Sequence, residues 1–451
     1  MKLIQSFLLT AILGCLAALE ATAQAPGSVN RFRPAGLTYG YYRRQAEVSP
    51  SDVPIRAPDA NAEPPAVSSE SFGGAACMSD CICDSCCNET AWRLFPASRS
   101  GWSLTGWLEA GATASADHPA SRRVHPVGFN DRQEVQLNQL YAVIARPMET
   151  HCNRWDAGGR VDLLYGTDAR FTEVPGLELR RDGTDHWNSR TFYRLSMPQI
   201  YGEVGYGDLS VKVGHWYSTI GYEVVPGPKN FFYSHGYARV YGEPFTHTGV
   251  LGSWTYSDRL SFYSGIHNGW DNFDGVTDRA GLLTGFNWTS CDDRLGIALA
   301  LSHGDEINSL AAYSERSIYS LVVNYQLSDC LQYVFQHDSG WQDDDGGANV
   351  DAEWYGINQY LLYTLNDCWS AGARFEWFRD DDGVRVSDFD GNTGFAGNFY
   401  QMTAGVKWTP RTNLIVRPEI RWDWYDGVGV PYDDGTKDEQ FTAAFDAILL
   451  Y

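Results

Sequence analysis

Apolar and polar residues alternate along much of the chain after residue 100. The clearest example is the segment 414–424, in which every second side chain is apolar or aromatic. The positions between them carry charged side chains, at Arg417, Glu419, Arg421 and Asp423. Similar alternation recurs at 160–165, 319–327 and 400–408. Because successive side chains of a strand point to opposite faces, the pattern predicts strands with one apolar and one polar face.

The connections between these segments differ in length. Very short polar turns recur about one hairpin apart, at 257–258, 291–293, 328–329, 366–367 and 410–412, and longer connections rich in Gly and Asp alternate with them. Short turns on one side and long loops on the other are typical of an outer-membrane barrel. We count sixteen strands between 103–115 and 439–451. The predicted fold is all-β, a transmembrane antiparallel up-and-down β-barrel of about sixteen strands with both ends in the periplasm.

Aromatic residues support this orientation. Tyr451 ends the last predicted strand, as in the assembly signal of outer-membrane barrels. Other aromatic residues lie near the two ends of the strands, where interfacial girdles are expected. Trp254, Tyr256, Trp288 and Tyr325 lie near short turns, and Trp270, Trp341, Trp377 and Trp424 lie near long loops.

The N-terminal hundred residues have a different character. Lys2, the apolar stretch 3–19 and the small residues at 21–23 predict a signal peptide over 1–23. Cys15 offers a lipoprotein-type alternative, which the uncommon Leu13 disfavours. Residues 24–100 lack a sustained apolar period and predict a disordered periplasmic linker with a Cys-rich segment. The barrel is expected over 101–451, in the outer membrane of a diderm bacterium.

Composition removes several classes of function. The net charge of −22 makes nucleic acid an unsuitable partner. Outside the N-terminus no apolar run approaches the roughly 18 residues of a membrane helix, which excludes a helical membrane protein. We find no metalloprotease, nucleophile-elbow, phosphate-loop or dinucleotide motif, so the sequence does not support an enzyme.

Four runs in the middle of the chain resemble the signature region of the OmpL-like β-barrel porins. They are Trp216–Glu223, Asn230–His235, Tyr241–Gly249 and Gly265–Asp271. The similarity covers roughly residues 100–451 and implies a pore for passive diffusion of small hydrophilic solutes or ions, without catalytic residues. Expected partners are outer-membrane lipid, the solutes and, as one option, two further copies in a homotrimer. The alternatives are a plugged structural anchor of the outer membrane and a secreted, soluble β-rich protein that binds or hydrolyses carbohydrate.

Charged side chains on the polar faces of the strands are candidates for the pore lining, because their burial in lipid would be prohibitive. They are Arg160, Asp162, Lys212, Arg374, Glu376, Lys407, Arg417, Glu419, Arg421 and Asp423. By analogy with general porins, the long connection 220–244 is expected to fold into the lumen as a constriction loop. Its candidate residues are Glu223, Lys229, His235, Arg239 and Glu243, whose opposed charges would set a transverse field. A packed loop without a filtering role is the alternative.

Acidic residues concentrate in the last three long loops, near 338–351, 380–390 and 426–439, and favour cations at the pore mouth. No cofactor is expected. The stretch Asp380–Gly383 offers oxygen ligands for Ca²⁺, but the full twelve-residue calcium-loop motif is missing, so solvated acidic loops are preferred.

Nine cysteines remain after removal of the signal peptide. Five crowd into the Cys-rich segment and four lie on or beside predicted short turns, so all nine are expected to face one compartment. They are Cys77, Cys81, Cys83, Cys86, Cys87, Cys152, Cys291, Cys330 and Cys368. An oxidising periplasm favours disulfides, with a metal knuckle and free thiols as alternatives. We expect at least one disulfide between the Cys-rich segment and a turn cysteine.

Overall fold

The computed structural model describes residues 94–95, 100–148, 154–188, 191–274, 279–308, 310–347, 350–388 and 394–451. The signal peptide predicted at 1–23 and most of the linker predicted at 24–100 lie outside the described residues. No helix in the described ranges is long and apolar enough to span a membrane.

Sixteen antiparallel strands form one closed sheet, in which every strand pairs with its neighbours in sequence. The strands are β1 Ser103–Ser115, β2 Val135–Arg146, β3 Trp155–Gly166, β4 Arg194–Tyr206, β5 Leu209–Tyr217, β6 Thr246–Ser257, β7 Leu260–Trp270, β8 Gly281–Thr289, β9 Leu295–Ile307, β10 Tyr313–Ser328, β11 Leu331–Gly347, β12 Val350–Asn366, β13 Trp369–Asp380, β14 Gly397–Arg411, β15 Leu414–Gly427 and β16 Glu439–Leu450. The all-β barrel of sixteen strands predicted from the alternation is thus confirmed.

The first and last strands close the barrel. Their ladder runs from the pair Trp107 and Leu450 to the pair Ser115 and Thr442. Beyond its end, the backbone N–H and C=O of Gly106 both bond to Tyr451, each at 2.9 Å. A Cβ on Gly106 would clash with the Tyr451 ring, so the seam requires glycine there. Closure leaves no sheet edge, which hydrocarbon could not solvate.

The two faces of the wall differ as the alternation predicts. On β15, Ile420 and Trp422 point outward and are 50% and 44% exposed, whereas Arg421 and Asp423 point inward and are buried. The outer face therefore carries the apolar side chains and the inner face the charged ones. Polar groups and charges avoid the lipid by facing the lumen.

The aromatic girdles are largely where we expected them, with one error. Trp254, Tyr256, Tyr325 and Trp341 are large exposed side chains of the outer face. Trp270 is instead only 2% exposed and lies inside, with the Arg316 guanidinium 4.9 Å from its ring centroid. The pairing of β6 and β7 shifts register beside Trp270, and Gly269 has φ of +108°. This irregularity interrupts the strict alternation on which the prediction relied.

Strand ends differ from the predicted ones mainly beyond the apolar band. We expected β11 to end near residue 340, but it continues to Gly347 through a polar, acidic stretch. We expected β4 to begin near 198, but it begins at Arg194. Backbone pairing continues outside the lipid, where side chains need no apolar alternation, so the pattern underestimates strand length there.

In the part of the long connections that the structure describes, there are three short helical segments: α1 Ala169–Thr172, a 3₁₀ turn Gly227–Lys229 and a π-helical turn Ala238–Gly242. The connections after β1 and β3 pack together, since the Phe129 and Phe171 rings stack with centroids 4.2 Å apart. Arg170 donates to both oxygens of Asp131 at 3.1 and 3.2 Å. These two loops therefore form one packed layer at the long-loop end of the barrel.

A barrel with this outer face will require detergent and resist unfolding in SDS at room temperature. We expect the unboiled protein to migrate faster on a gel than the boiled protein, because the folded barrel stays compact. Recovery of the protein as a soluble monomer from the periplasm would contradict the assignment.

Candidate functional site

The ten charged residues predicted to line the pore all lie on the inner face of the wall, on β3, β5, β13, β14 and β15. Three of them, Arg160, Lys212 and Lys407, are partly exposed. The other seven are buried: Asp162, Arg374, Glu376, Arg417, Glu419, Arg421 and Asp423. Other atoms therefore cover much of this wall.

Many of the covering atoms belong to residues 218–245, the connection between β5 and β6, which we call the inner loop. The Ser218 N–H donates to the Phe245 carbonyl at 2.9 Å and holds the two ends of the loop together. Between them the loop contacts the opposite wall, where the Tyr222 N–H donates to Gln336 of β11 at 3.1 Å. It also contacts β2, whose Gln139 donates to the Val225 carbonyl at 2.6 Å. The inner loop thus crosses the lumen.

Two wall carboxylates hold consecutive backbone N–H groups of the inner loop. Glu376 of β13 accepts the N–H groups of Tyr237 and Ala238 at 2.6 and 2.7 Å. Glu419 of β15 accepts those of Tyr233 and Ser234 at 2.8 and 3.2 Å. These are charge-assisted bonds in a buried setting, each of which contributes about 1.5–3 kcal/mol.

Arginines of the same strands bind the loop carbonyls. Arg417 donates to the carbonyls of Gly227, Asn230 and Phe232 at 2.7–3.1 Å. Arg421 donates to the His235 carbonyl at 2.6 Å. Glu376 of β13 and Glu419, Arg417 and Arg421 of β15 therefore bind the loop through its backbone groups.

The buried arginines are also neutralised by carboxylates. Arg417 pairs with Glu109 at 2.9 Å and with Asp446 at 2.6 Å. Arg421 pairs with Asp423 at 2.6 Å. Pairing of this kind is what makes a charge tolerable away from water.

The five predicted constriction residues fall into two groups. Glu223 and His235 lie 3.2 Å apart, and Arg374 of the wall donates to Glu223 at 2.5 Å. Arg239 and Glu243 form a buried pair at 2.6 Å within the loop. Lys229 alone of the five is exposed. Four of the five candidates thus take part in buried contacts of the loop, and one faces solvent.

Burial and pairing act in opposite directions on the titration of these loop groups. Burial raises the pKa of Glu223, but the Arg374 guanidinium and the His235 hydrogen bond outweigh it, so the pKa lies well below its usual range. Burial lowers the pKa of His235 despite Glu223 beside it. Glu223 is therefore ionised at neutral pH, and His235 is neutral.

Several contacts at the long-loop end of the lumen were missed from the sequence. Trp354 of β12 donates from its indole N–H to the Gly242 carbonyl at 2.9 Å. Arg385 donates to the Tyr241 carbonyl at 2.8 Å, and the Tyr241 hydroxyl donates to the Pro126 carbonyl at 2.8 Å. The alternation of apolar and polar residues does not distinguish an aromatic side chain that points into the lumen from one that belongs to an interfacial girdle.

The acidic stretch considered for Ca²⁺ has a structural task. Asp380 is buried and accepts the backbone N–H groups of Gly383, Val384, Arg385 and Val386 at 2.8–3.2 Å. Its oxygens are therefore occupied by the loop that follows β13. Within the described residues, no group of three or more His, Cys, Asp or Glu side chains could hold a metal ion.

Solved outer-membrane proteins share this fold at low sequence identity. OmpT of Vibrio cholerae, folded in vitro, is 11% identical with a TM-score of 0.51, over 78% of this chain and 97% of that chain. The anion-selective porin of Comamonas acidovorans is 10% identical with a TM-score of 0.50, over 78% and 99% of the two chains. No curated protein matches the sequence.

A family model covers the whole barrel. The model described as "Putative beta-barrel porin-2, OmpL-like" matches residues 101–451. The match begins two residues before β1 and includes every strand and the inner loop. The chain therefore belongs to the OmpL-like family of outer-membrane β-barrel porins.

Proposed function

We propose that this outer-membrane porin passes small hydrophilic solutes and ions by passive diffusion through the part of the lumen that the inner loop leaves open. The carrying observation is the inner loop itself, which the wall residues Glu376, Glu419, Arg417 and Arg421 bind by its backbone. A loop held in this way narrows the lumen to a fixed cross-section. The inner loop therefore limits the size of the solutes that can pass, because its position is fixed before any solute enters. Family and fold point to a channel rather than an enzyme.

The same observation supports the second candidate, a barrel that the loop plugs and that serves as a structural anchor. Buried contacts run from the loop to β2, β11, β13 and β15. The two functions differ in one measurable property, because only the porin conducts ions. Side chains that the loop leaves accessible, Lys229, Lys212 and Arg160, favour the porin.

The inner charges bear on ion preference. Arg374, Arg417 and Arg421 each have a carboxylate partner, so they contribute little net field. At the long-loop end of the barrel, Asp343 on β11 and Asp382 after β13 are exposed, and Asp344 on β11 is partly exposed. We infer a moderate preference for cations, set at the mouth rather than at the wall.

Oligomerisation is proposed from two observations. A trimer form of the Vibrio cholerae OmpT is among the similar structures, at 11% identity and a TM-score of 0.50. On the outward face of β10 to β12, the Tyr319 hydroxyl lies 3.1 Å from His337 Nδ1, and the Tyr333 hydroxyl donates to Gln359 at 2.8 Å. Exposure of these polar groups to lipid costs free energy, and contact with a neighbouring protein chain would avoid this cost.

We therefore expect a homotrimer. Analytical ultracentrifugation in a mild detergent should give the mass of three chains, and the double variant His337→Leu with Gln359→Leu tests whether this face takes part. A monomer for the wild-type protein would contradict the proposal.

The loop anchors can be tested by single-channel recording. Replacing Glu376 with Ala leaves two loop N–H groups without their acceptor and removes roughly 3–6 kcal/mol of docking energy. We expect the variant to show a larger and noisier open-channel conductance than the wild-type protein, and Glu419→Ala to behave alike.

Glu203→Ala is the matched control. Glu203 is a carboxylate of the wall strand β4 that accepts from Ser210 of β5 at 3.0 Å. Its loss should leave the conductance close to that of the wild-type protein. Equal effects of the control and the anchor variants would argue against anchoring by Glu376 and Glu419.

Ion preference is tested by neutralising the mouth. The triple variant Asp343→Asn, Asp344→Asn and Asp382→Asn should lower the cation-to-anion permeability ratio, most strongly at low salt, where screening is weak. Reversal potentials in a salt gradient give the ratio. The control removes the same charge from the short turns, by Asp208→Asn, Asp258→Asn and Asp292→Asn. A wild-type channel that prefers anions would refute the assignment.

A further inference from the structure

The lumen contains a small apolar cluster that is separate from the main hydrophobic core. It joins the inner loop to the inner faces of β9 to β12. Its buried members are Phe232, Val322, Val334 and Tyr360. Its partly exposed members, which we call the apolar strip, are Tyr222, Phe231, Ala298 and Leu362. Apolar surface that stays accessible inside a pore for hydrophilic solutes indicates a site for the apolar part of a solute.

Strand pairing places the apolar strip close to a lysine. Leu362 of β12 pairs with Gly372 of β13, and Gly372 pairs with Gly405 of β14. Lys407 follows two residues later on β14, so its side chain points to the same, inner face. Leu362 and Lys407 each lie four residues before the last residue of their strands. Both are therefore in the short-turn half of the lumen.

A glycine makes room for the exposed aromatic ring of the strip. A Cβ on Gly372 would lie 2.4 Å from Phe231 Cε1, so any side chain there would displace the ring. The Phe231 ring therefore lies against β13, beside the strand that carries Lys407. The Lys407 ammonium donates to the carbonyls of Pro228 and Asn230, at 3.3 and 3.4 Å. Asn230 directly precedes Phe231, so the apolar surface and the ammonium are adjacent.

Lys407 differs from the buried arginines of the wall in its partners. Arg374, Arg417 and Arg421 each pair with a carboxylate. In the part of the chain that the structure describes, Lys407 forms no ion pair, and its two bonds to carbonyls are long. Lys407 is also partly exposed, so its charge is accessible to an anion in the lumen. Lys229, which lies between the two contacted loop residues, is exposed and adds positive charge nearby.

We propose that the apolar strip and Lys407 form a binding site for a small aromatic carboxylate, with benzoate as the simplest probe. The aromatic ring of the solute lies against Phe231 and Leu362, and the Lys407 ammonium binds the carboxylate. The inference rests on the proposed porin function, to which it adds a class of solute. Acetate has no ring to cover the strip, and a neutral aromatic solute has no anion for the ammonium.

The acids at the mouth lie far from this site. Asp380 pairs with Gly397 at the long-loop end of β14, and Asp382 follows Asp380. Lys407 is ten residues further along β14, which is about 33 Å at a rise of about 3.3 Å per residue. This distance is several times the Debye length of about 8 Å at physiological ionic strength. The mouth therefore affects the entry of small ions and has little effect on binding at the strip.

Ligand-detected NMR titration of the purified protein in detergent tests the site, with protein-free micelles as the blank. Benzoate has both a ring and a carboxylate, whereas acetate has only the carboxylate and benzyl alcohol only the ring. We expect saturable binding of benzoate, with a Kd at least about tenfold below that of either other probe. Equal Kd values for the three probes, or no saturation with benzoate, would overturn the proposal.

Two variants and a control locate the site. Lys407→Gln keeps a donor for the loop carbonyls but removes the charge. It should raise the Kd for benzoate about tenfold and leave that for benzyl alcohol unchanged. Leu362→Asn removes apolar surface and should weaken the binding of both probes. The matched control is Lys212→Gln, because Lys212 of β5 is also an inner lysine but lies on the opposite side of the closed sheet.

The control should leave the Kd for benzoate unchanged. An equal loss of affinity with Lys212→Gln and Lys407→Gln would indicate general attraction to positive charge and overturn the proposal. Gel migration before boiling verifies that each variant folds. Binding and conductance are measured separately, so the two proposals can fail separately. Conductance without benzoate binding would overturn the site alone, and benzoate binding without conductance would overturn the porin function and retain the site.

Discussion

Hydrocarbon offers no partner for a backbone N–H or C=O, and this constraint determines most of the molecule. Each strand must pair on both sides, which the ladder between β1 and β16 achieves by closing the sheet. Closure then divides the side chains into an outer set in lipid and an inner set. Charges such as Arg417 and Glu419 have only the inner face available to them.

The inner charges create a second requirement, because a buried charge needs partners. The inner loop supplies them through its backbone: wall carboxylates accept loop N–H groups and wall arginines donate to loop carbonyls. Loop and wall therefore stabilise each other, in addition to the ion pairs that the wall arginines form with wall carboxylates. The path of the inner loop across the lumen follows from the way the charges of β13 and β15 are compensated.

The sequence was informative where one physical rule acts alone. Period-2 alternation gave the number of strands and the inward side of all ten wall residues, because lipid imposes it on every strand. It was wrong at Trp270, where a register shift interrupts the period, and it ended β11 too early, where lipid no longer acts. The partners of Glu376 and Glu419 could not be predicted, because they are backbone groups of a distant segment. Every residue except proline has a backbone N–H, so the residue types in the sequence do not show which N–H groups a carboxylate will bind.

Passive passage limited by the inner loop is the central claim, and swelling of liposomes that contain the purified protein tests it most directly. Neutral sugars of increasing size are supplied outside, so that charge plays no part. We predict rapid swelling with the smallest sugars and a steep fall in rate as size increases. Absence of swelling with every sugar, in protein that migrates as a folded barrel, would contradict the account and indicate a plugged lumen.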